Sequence, residues 1–392
     1  MTHDEKSDTS GILFFANTDW YLFNFRSALI RAASDAGYEV ACVSPPGIHG
    51  KRLQDSGFEW QALPFERDSR YGMLRSLLRT RNAIRRAVQE RQPSIVHSFT
   101  LTSILLTWLA VPRGMAVRRV NAVTGMGYAF TGHSLKHRLI RTVLGPLIGR
   151  ALEHPDAWTV VQNATDRDIV RQAFGVAEDR LRLIPGSGVD VDRFRSVSRE
   201  GDRPLRVGFV GRLLTDKGIR EFVEAAQTLA GRFPEVEFVA AGEPDAGNPA
   251  AVSAEELTKW KRNGSVKFLG QVEDMPGFLN TLDLFVLPSY REGLSRSLIE
   301  AGACGLPAVT TDVPGCRDVV TDGENGRVVP VRDAGALAGA IGELLADDAL
   351  RARMGRKARE VIEAGFSNER VNGETVRLYG EVLGKQVQGE SA

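Results

Sequence analysis

Residues 207–218 read VGFVGRLLTDKG: an apolar run, a glycine, and then a polar segment that leads into a helical pattern. A short apolar run that ends in a turn and precedes a helix is typical of a strand–helix unit in a parallel sheet. The same alternation recurs on both sides of this stretch. We predict strands at residues 12–16, 39–44, 95–98, 117–123, 159–161, 181–184, 205–210, 236–241, 266–269, 284–287, 308–310 and 327–329.

The alternation is interrupted by a polar, arginine-rich segment at residues 192–204, which we interpret as a linker between domains. A chain of 392 residues is also longer than one hydrophobic core usually supports. We therefore expect two doubly wound α/β domains, at residues 1–195 and 204–366, facing each other across a cleft. Ligands of such sheets bind outside the carboxyl ends of the strands. Residues 367–392 are predicted to form a last helix that could return to the N-terminal domain.

The composition excludes a disordered or fibrous protein, because 43% of the residues are hydrophobic and 25% are charged. Three cysteines without metal-ligand spacing indicate neither a disulfide framework nor a zinc site, and favour a reducing cytoplasm. The polar first ten residues lack a signal-peptide pattern, and no apolar run approaches the roughly 20 residues of a membrane-spanning helix. We expect a cytoplasmic protein whose contact with a membrane is peripheral.

Positive charge is concentrated in the first half of the chain, although the net charge is only +1. Residues 51–150 contain 17 Lys and Arg against 5 Asp and Glu. Two basic helices, around residues 71–88 and 136–150, could dock on the anionic inner face of the cytoplasmic membrane. The alternative is a pair of solvated helices whose apolar faces are simply core. Nucleic-acid binding is not expected, because no recognisable module or interleaving of aromatic residues accompanies the charge.

The stretch at residues 287–307, LPSYREGLSRSLIEAGACGLP, carries the first candidate site residues. It reads as a strand end, a loop and a helix start, where backbone N–H groups suit a diphosphate. Glu292 precedes this start, and Glu300 lies about two turns into the helix, where its carboxylate could accept both hydroxyls of a ribose. The backbone amides that could face the phosphate or the sugar belong to Gly293, Leu294 and Ser295.

Two cations follow the strand at residues 205–210. Arg212 comes directly after Gly211 at the end of that strand, and Lys217 lies at the start of the next helix. Both can reach phosphates at the carboxyl end of the sheet, where charge-assisted hydrogen bonds contribute roughly 1.5 to 3 kcal/mol each. Taken alone, each could also be an ordinary solvated side chain.

The pair VGRLLTDKG and EGLSRSLIEA resembles the retaining glycosyltransferase family 4, whose fold is the GT-B architecture of two Rossmann-like domains. The resemblance also includes residues 24–40, 184–194 and 269–275. It implies that Arg212 and Lys217 hold the donor diphosphate, that Glu292 contacts the sugar, and that Glu300 binds the ribose. It further implies that the turn containing Gly270 and Val272 flanks the nucleobase, most often uracil.

Within this family the reaction needs neither a protein nucleophile nor a metal ion, since the departing phosphate helps to deprotonate the acceptor on the same face. The carboxylate pair of a glycosidase is therefore not expected. Two D-x-D sequences, at residues 166–168 and 190–192, match the metal-binding pattern of another glycosyltransferase fold. Because they fall in a probable helix and beside the linker, we interpret them as structural.

The first domain departs from the family pattern at residue 124. Many members carry a histidine after the corresponding strand, whereas this chain has Thr124. The candidate residues on the acceptor side are Asn17, Thr18, Tyr21, Thr124 and Gly125, for which loop capping is the alternative role. The resemblance is closer to bacterial surface-polysaccharide and glycan-assembly members, which often act on polyprenyl-diphosphate-linked sugars.

The sequence therefore predicts a hexosyl- or N-acetylhexosaminyltransferase that uses a nucleotide diphosphate sugar, with a UDP-sugar expected, and a lipid-linked saccharide acceptor. Two alternatives remain open at this stage. The same chemistry could act on a soluble acceptor, or the chain could bind nucleotide sugars without turnover. The sequence identifies neither the donor sugar nor the linkage.

Overall fold

The computed structural model describes residues 10–64, 73–112, 114–125, 135–197, 203–245 and 247–385. The chain divides into two compact units. The first comprises the chain up to Ser187 together with the chain from Val371, and the second runs from Gly188 to Arg370. Each unit contains a parallel sheet flanked by helices, so the predicted fold class is confirmed.

The first unit has a seven-stranded parallel sheet in the order β3-β2-β1-β4-β5-β6-β7. Its strands are β1 Gly11–Ala16, β2 Glu39–Ser44, β3 Glu59–Ala62, β4 Ile95–Phe99, β5 Arg118–Val123, β6 Ala157–Val161 and β7 Leu181–Leu183. The helices between them are α1 Asp19–Asp35, α2 Ile48–Asp55, α3 Met73–Arg91, α4 Leu101–Ala110, α5 Leu135–Leu152 and α6 Ala164–Phe174.

The second unit has a six-stranded parallel sheet in the order β10-β9-β8-β11-β12-β13. Its strands are β8 Arg206–Val210, β9 Glu237–Ala241, β10 Lys267–Gly270, β11 Leu284–Leu287, β12 Ala308–Thr311 and β13 Gly326–Val329. The helices are α7 Ile219–Leu229, α8 Ala254–Asn263, α9 Met275–Leu279, α10 Arg296–Ala303, α11 Ala334–Ala346, α12 Asp348–Gly365 and α13 Asn368–Val382, of which α13 continues into the first unit.

Local sequence explains where several of these helices begin. Thr18 accepts a hydrogen bond from the Tyr21 backbone at the start of α1, and Asn163 accepts one from Asp166 at the start of α6. Such side-chain caps satisfy donors that the first turn leaves without partners. Buried strands are almost wholly apolar, as expected for a parallel sheet covered on both faces.

The C-terminal helix α13 packs in a core cluster of the first unit through Val371, Leu378 and Tyr379. Tyr379 is fully buried, and its hydroxyl lies 2.6 Å from Nδ1 of His97 on β4. Burial lowers the pKa of His97 well below its ordinary value, so the ring is neutral. The helix is therefore held to the sheet by a polar contact as well as by apolar packing.

The structure moves the expected domain boundaries. The first unit ends at Ser187 rather than at residue 195, because Val189 and Phe194 lie in the core of the second unit. The return to the first unit occurs at Val371 rather than at residue 367, because the Asn368 backbone donates to Val189. Part of the expected linker thus belongs to the second core.

The structure also contains the strand β3, which the sequence does not predict. Its four residues, EWQA, have no apolar run, and they form an edge strand whose side chains are at most partly buried. Among the described residues, no helix is long and apolar enough to cross a membrane.

Candidate active site

The order of strands in the second sheet defines a crevice at the carboxyl ends of β8 and β11. The chain proceeds from β8 to β9 and β10 on one side, and then returns to place β11 on the other side of β8. Ligands bind at such a switch point in open α/β sheets. The loop after β8 contains Gly211 and Arg212, and the loop after β11 leads to Glu292. The fold therefore brings the two strongest sequence motifs to one edge.

Lys217 and Glu292 form the ion pair at this edge. Lys217 Nζ donates to Glu292 Oε1 at 2.5 Å, and the two side chains are only 22% and 11% exposed. Ser289 Oγ donates to the same carboxylate oxygen at 2.8 Å. A partly desolvated pair with an additional donor is held in one orientation, which a solvated surface pair is not.

The backbone of Glu292 is fixed by the loop after β12. Its N–H donates to the carbonyl of Pro314 at 3.3 Å, and the Ser295 N–H donates to the carbonyl of Gly315 at 3.0 Å. Gly315 has a φ of +78°, and a Cβ there would lie 2.8 Å from Glu292 Cβ. Only glycine allows this approach without displacing the glutamate.

The helix α10 begins beside Glu292. Ser295 is its N-cap, and its side chain accepts a hydrogen bond from the Leu298 backbone. The positive end of the helix dipole at this start favours an anion. Gly293 and Leu294, which precede the cap, are partly buried. On the same helix, Arg296 Nε donates to Glu300 Oε1 at 2.7 Å.

Arg212 does not join the Lys217–Glu292 pair in this structure. Its guanidinium is 59% exposed, and Nη1 donates to Asp245 Oδ2 at 2.5 Å. Asp245 lies in the loop after β9, so Arg212 still lies at the carboxyl edge of the sheet. The structure thus brings Lys217 and Glu292 together, whereas Arg212 and Glu300 are paired with neighbours of their own.

Three glycines lie at the carboxyl ends of the adjacent strands β8, β9 and β10. They are Gly211, Gly242 and Gly270, and the Gly242 N–H donates to the Gly270 carbonyl at 2.8 Å. Gly242 has a φ of +141°, and a Cβ there would lie 1.9 Å from the Gly211 carbonyl oxygen. The two backbones therefore pack closely here, an approach that a side chain on Gly242 would prevent. Val272, two residues beyond Gly270, is partly buried.

Gly242 and Asp245 were not singled out by sequence reasoning. The sequence marks them only weakly, as a glycine after a predicted strand and an acidic residue in a loop. Their importance depends on which strands become neighbours, which one sequence does not show.

Tyr290 links this loop to the start of α7. Its hydroxyl donates to Glu221 Oε1 at 2.5 Å, and its backbone N–H donates to the Asp216 carbonyl at 2.8 Å. Burial and the Glu221 carboxylate raise the pKa of Tyr290 to about 12. The hydroxyl therefore stays protonated and holds the two loops together. Burial similarly raises the pKa of the nearby Cys316 thiol to about 12, with a smaller contribution from Glu292.

In the first sheet, the corresponding switch point lies between β1 and β4. Asn17 and Thr18 follow β1 at the carboxyl edge, and Thr18 caps α1. Tyr21 lies in the first turn of α1, and its hydroxyl accepts hydrogen bonds from Arg26 at 2.6 and 3.1 Å. Arg26 is buried, and it also donates to the Gly186 carbonyl at 3.2 Å. Capping and a structural hydrogen bond thus account for Thr18 and Tyr21 in this structure.

Thr124 and Gly125 follow β5 at the same edge and are partly buried. Between β1 and β5 lies β4, which is followed by Thr100. Thr100 has a φ of +77°, in the left-handed region that a β-branched residue rarely adopts. Such strain is often found at functional sites. Sequence reasoning missed Thr100, because only the backbone shows the strain.

One aspartate of each D-x-D sequence accepts local hydrogen bonds. Asp190 accepts hydrogen bonds from the backbones of Asp192 and Arg193, and buried Asp166 accepts one from the Asn163 side chain. Their carboxylates are therefore engaged in local turns and caps.

Two family models match the chain. Residues 11–159 match the "Glycosyl transferase 4-like" model, and residues 190–361 match the "Glycosyl transferases group 1" model. The first match covers most of the first unit, and the second covers most of the second unit.

The similar proteins are also glycosyltransferases. The N,N'-diacetylbacillosaminyl-diphospho-undecaprenol alpha-1,3-N-acetylgalactosaminyltransferase of Campylobacter jejuni is 26% identical over 362 residues, which cover 88% of this chain and 92% of that protein. The structure of sucrose-phosphate synthase from Thermosynechococcus elongatus superposes with a TM-score of 0.78 at 21% identity, covering 96% and 99% of the two chains. The Anabaena protein HepE, crystallised in complex with UDP, has a TM-score of 0.76 at 17% identity and covers 95% and 100%.

These structures share the GT-B fold with this chain, and the two family models match its two halves. The resemblance carried by the motifs around Lys217 and Glu292 is therefore confirmed. The chain is a GT-B glycosyltransferase that belongs to the family 4-like and group 1 glycosyl transferases.

Proposed function

We propose that this enzyme transfers a sugar from a UDP-sugar to a polyprenyl-diphosphate-linked saccharide, with retention of anomeric configuration and without a metal ion. The observation that carries the proposal is the Lys217–Glu292 pair at the switch point of the second sheet, beside the start of α10. The transferred group would be a hexosyl or N-acetylhexosaminyl residue.

Lys217 and the N-terminus of α10 would hold the diphosphate. As the bond between the sugar and the phosphate breaks, negative charge develops on the leaving phosphate oxygen. A partly buried ammonium and the helix dipole stabilise that charge in a site of reduced dielectric. Arg212 is exposed, so its guanidinium can exchange Asp245 for the diphosphate when the donor binds. The departing oxygen then accepts the proton of the attacking acceptor hydroxyl.

The remaining donor contacts follow from the same edge of the sheet. The backbone at Gly211, Gly242 and Gly270 would flank a flat nucleobase, with Val272 beside it. Glu300, which keeps one carboxylate oxygen outside its bond to Arg296, would accept the ribose hydroxyls. Glu292 would accept from sugar hydroxyls, and Gly293, Leu294 and Ser295 would direct backbone amides to the donor. The UDP complex of HepE supports uracil as the base.

The acceptor would bind at the carboxyl edge of the first sheet, near Asn17, Thr18, Tyr21, Thr124 and Gly125. The name of the Campylobacter relative describes a diphospho-undecaprenol acceptor, which supports a lipid-linked substrate here. We place the enzyme in the cytoplasm, bound peripherally to the inner face of the cytoplasmic membrane through α3 and α5.

The test is a transfer assay with a panel of UDP-sugars, lipid-linked and soluble acceptors, and excess chelator. We expect transfer to a lipid-linked acceptor in chelator, with a product whose anomeric configuration by NMR equals that of the donor. Lys217→Ala should lose most of the activity, whereas Lys259→Ala, which removes an exposed lysine on α8, should not.

Three outcomes would each overturn part of the proposal. A requirement for added Mn²⁺ or Mg²⁺ would refute the metal-independent mechanism. Transfer to soluble acceptors alone would refute the lipid-linked acceptor. UDP binding without transfer to any acceptor would refute the enzymatic proposal and favour a nucleotide-sugar-binding protein.

A further inference from the structure

A cavity of about 530 Å³ lies in the first unit, at the edge of the sheet opposite to the switch point. Helices α3, α4 and α5, the start of β5 and the segment that precedes β6 surround it. Since β5 begins at Arg118 and ends at Val123, the chain travels about 15–20 Å from this cavity to the edge that carries Thr124. The cavity is therefore separate from the candidate acceptor residues.

Four arginines line the cavity against one carboxylate. Arg81 and Arg85 come from α3, Arg150 comes from the end of α5, and Arg119 comes from the start of β5. The carboxylate is that of Glu153, which is exposed. Arg81 Nε donates to the Leu109 carbonyl at 2.9 Å, which fixes α3 against the end of α4. The net positive charge of the lining favours the binding of an anion.

Arg119 is buried, with 4% of its surface exposed, and its Nε has no hydrogen-bond partner among the described residues. Its Nη1 contacts His154 Nδ1 at 3.1 Å, and the nearest Asp156 oxygen is 3.9 Å away. Arg118 Nη1 donates to the other oxygen of Asp156 at 2.5 Å. Burial lowers the pKa of His154, with a further contribution from Arg119, so the ring is neutral and adds no second positive charge beside the guanidinium.

A buried guanidinium whose nearest carboxylate oxygen is 3.9 Å away is costly, and an anion in the cavity that Arg119 lines would lower this cost. A phosphate group fits this requirement, because its oxygens can accept from several guanidinium groups at once. The apolar wall formed by Trp108, Val111 and Pro112 suits a ligand that is more than a free ion.

Exposed apolar side chains lie on the same three helices. Leu78 on α3 is 46% exposed, Leu109 on α4 is 43% exposed, and Val143 on α5 is 57% exposed. Leu78 precedes Arg81 by three residues and Arg85 by seven, and Val143 precedes Arg150 by seven, so each lies on the helix face that carries the arginines. Apolar side chains beside a phosphate-binding pocket are the arrangement expected at the boundary between headgroups and acyl chains.

We propose that this cavity binds the phosphate of an anionic phospholipid headgroup, while Leu78, Leu109 and Val143 enter the adjoining acyl layer. This inference rests on the peripheral membrane association proposed above. It deepens that proposal by naming the residues that select the headgroup. It does not depend on sugar transfer.

The test compares two double variants that remove the same charge. Arg85→Gln/Arg150→Gln removes two guanidinium groups from the cavity, and Arg79→Gln/Arg86→Gln removes two exposed ones from α3. Neither variant touches buried Arg119, so folding should be preserved. Co-sedimentation is measured with vesicles of pure phosphatidylglycerol and of pure phosphatidylcholine at near-physiological salt.

We expect wild-type protein to bind phosphatidylglycerol and not phosphatidylcholine. The cavity variant should bind at least about tenfold more weakly than wild type, with a clearly smaller loss for the Arg79/Arg86 control, since arginines that do not line the cavity contribute only through the general surface potential. Equal losses in the two variants would refute specific binding in the cavity and indicate that the protein binds vesicles through its general basic surface. Absence of phosphatidylglycerol binding by wild type would overturn the lipid proposal.

Glycerol 3-phosphate and inorganic phosphate test whether the phosphate bound in the cavity comes from a soluble compound instead of a lipid headgroup. If either binds the wild type by calorimetry and the cavity variant loses that binding, while vesicles do not bind, the pocket takes a soluble phosphate and the headgroup proposal is refuted. The transfer assay with UDP-sugar is run on the same proteins. Because the sedimentation needs neither donor nor acceptor, failure of the headgroup proposal and failure of the proposed transferase activity are separate results.

Discussion

Gly315 lies so close to Glu292 that no side chain fits between them. Its φ of +78° is also unfavourable for other residues, and a Cβ would come within 2.8 Å of the Glu292 backbone and Cβ. We predict that Gly315→Ala displaces Glu292 and lowers kcat/KM for transfer by about a hundredfold, since small misplacements of reacting groups have effects of this size. Steady-state kinetics with the UDP-sugar donor measure this change in kcat/KM.

Gly323→Ala is the matched control for this change. Gly323 has nearly the same φ, +77°, and its nearest neighbour would be Arg327 Nη1 at 3.7 Å. Both variants should lose about 1 kcal/mol of stability from backbone strain. If Gly323→Ala lowers kcat/KM as much as Gly315→Ala, the loss comes from strain alone, and the argument about Glu292 is wrong.

Lys217 and Glu292 should separate binding from transfer when they are replaced singly. Lys217→Met removes the ammonium from the diphosphate, and we expect UDP affinity to fall by about 10- to 100-fold, as for loss of a charge-assisted hydrogen bond. Glu292→Gln keeps the shape and changes mainly the contact to the sugar. It should reduce kcat by at least about tenfold while UDP affinity changes less than about threefold.

Calorimetric titration with UDP and kinetics with the full donor distinguish these effects. Lys259→Met provides the control for the loss of a lysine, because Lys259 is exposed on α8. If Lys217→Met leaves UDP affinity unchanged, the lysine has only a structural role as the partner of Glu292.

Sequence reasoning located most strands because the buried strands of a parallel sheet are short apolar runs between turn residues. It found β8 and β11 and the motifs that follow them. It missed β3, because an edge strand such as EWQA buries little and shows no such run. It placed the first domain boundary too late, because polarity does not reveal that Phe194 packs in the second core.

At the candidate site, sequence reasoning named Lys217 and Glu292, and the structure pairs them. It could not name the Asp245 partner of Arg212, because β8 and β9 become neighbours only in the folded sheet. The strained backbone of Thr100 could not be predicted from its residue type, since threonine rarely adopts a positive φ. Contacts between elements therefore required the structure, whereas most of the strands did not.

Tyr379→Phe should weaken the attachment of α13 to the first sheet. The hydroxyl lies 2.6 Å from His97 Nδ1, and both groups are buried. Its loss leaves a buried ring nitrogen without a partner, which typically costs about 1–3 kcal/mol. We expect the free energy of unfolding in urea to fall by that amount.

Tyr38→Phe is the control, because the Tyr38 ring packs against Tyr379 with a centroid distance of 5.9 Å and is only partly buried. It should change the free energy of unfolding by less than about 0.5 kcal/mol. Equal losses in the two variants would show that the hydroxyl contact to His97 contributes nothing specific.

His97 should make the stability of the protein depend on pH. Burial, and to a smaller extent Arg26, lower the pKa of His97 in the folded state well below 6.5. The unfolded chain therefore binds a proton near pH 6.5 that the folded chain does not bind, so stability falls as the pH drops below that value and is unaffected above it. For this one group the expected loss in the free energy of unfolding is about 1.4 kcal/mol between about pH 7.5 and pH 5.5.

His97→Gln is the control, because glutamine does not bind this proton. Urea denaturation at the two pH values should show a smaller difference in the free energy of unfolding for the variant than for wild type, even though the variant is less stable overall. An equal difference in the two proteins would mean that His97 is protonated as readily in the folded chain as in the unfolded one, and that burial does not keep the ring neutral.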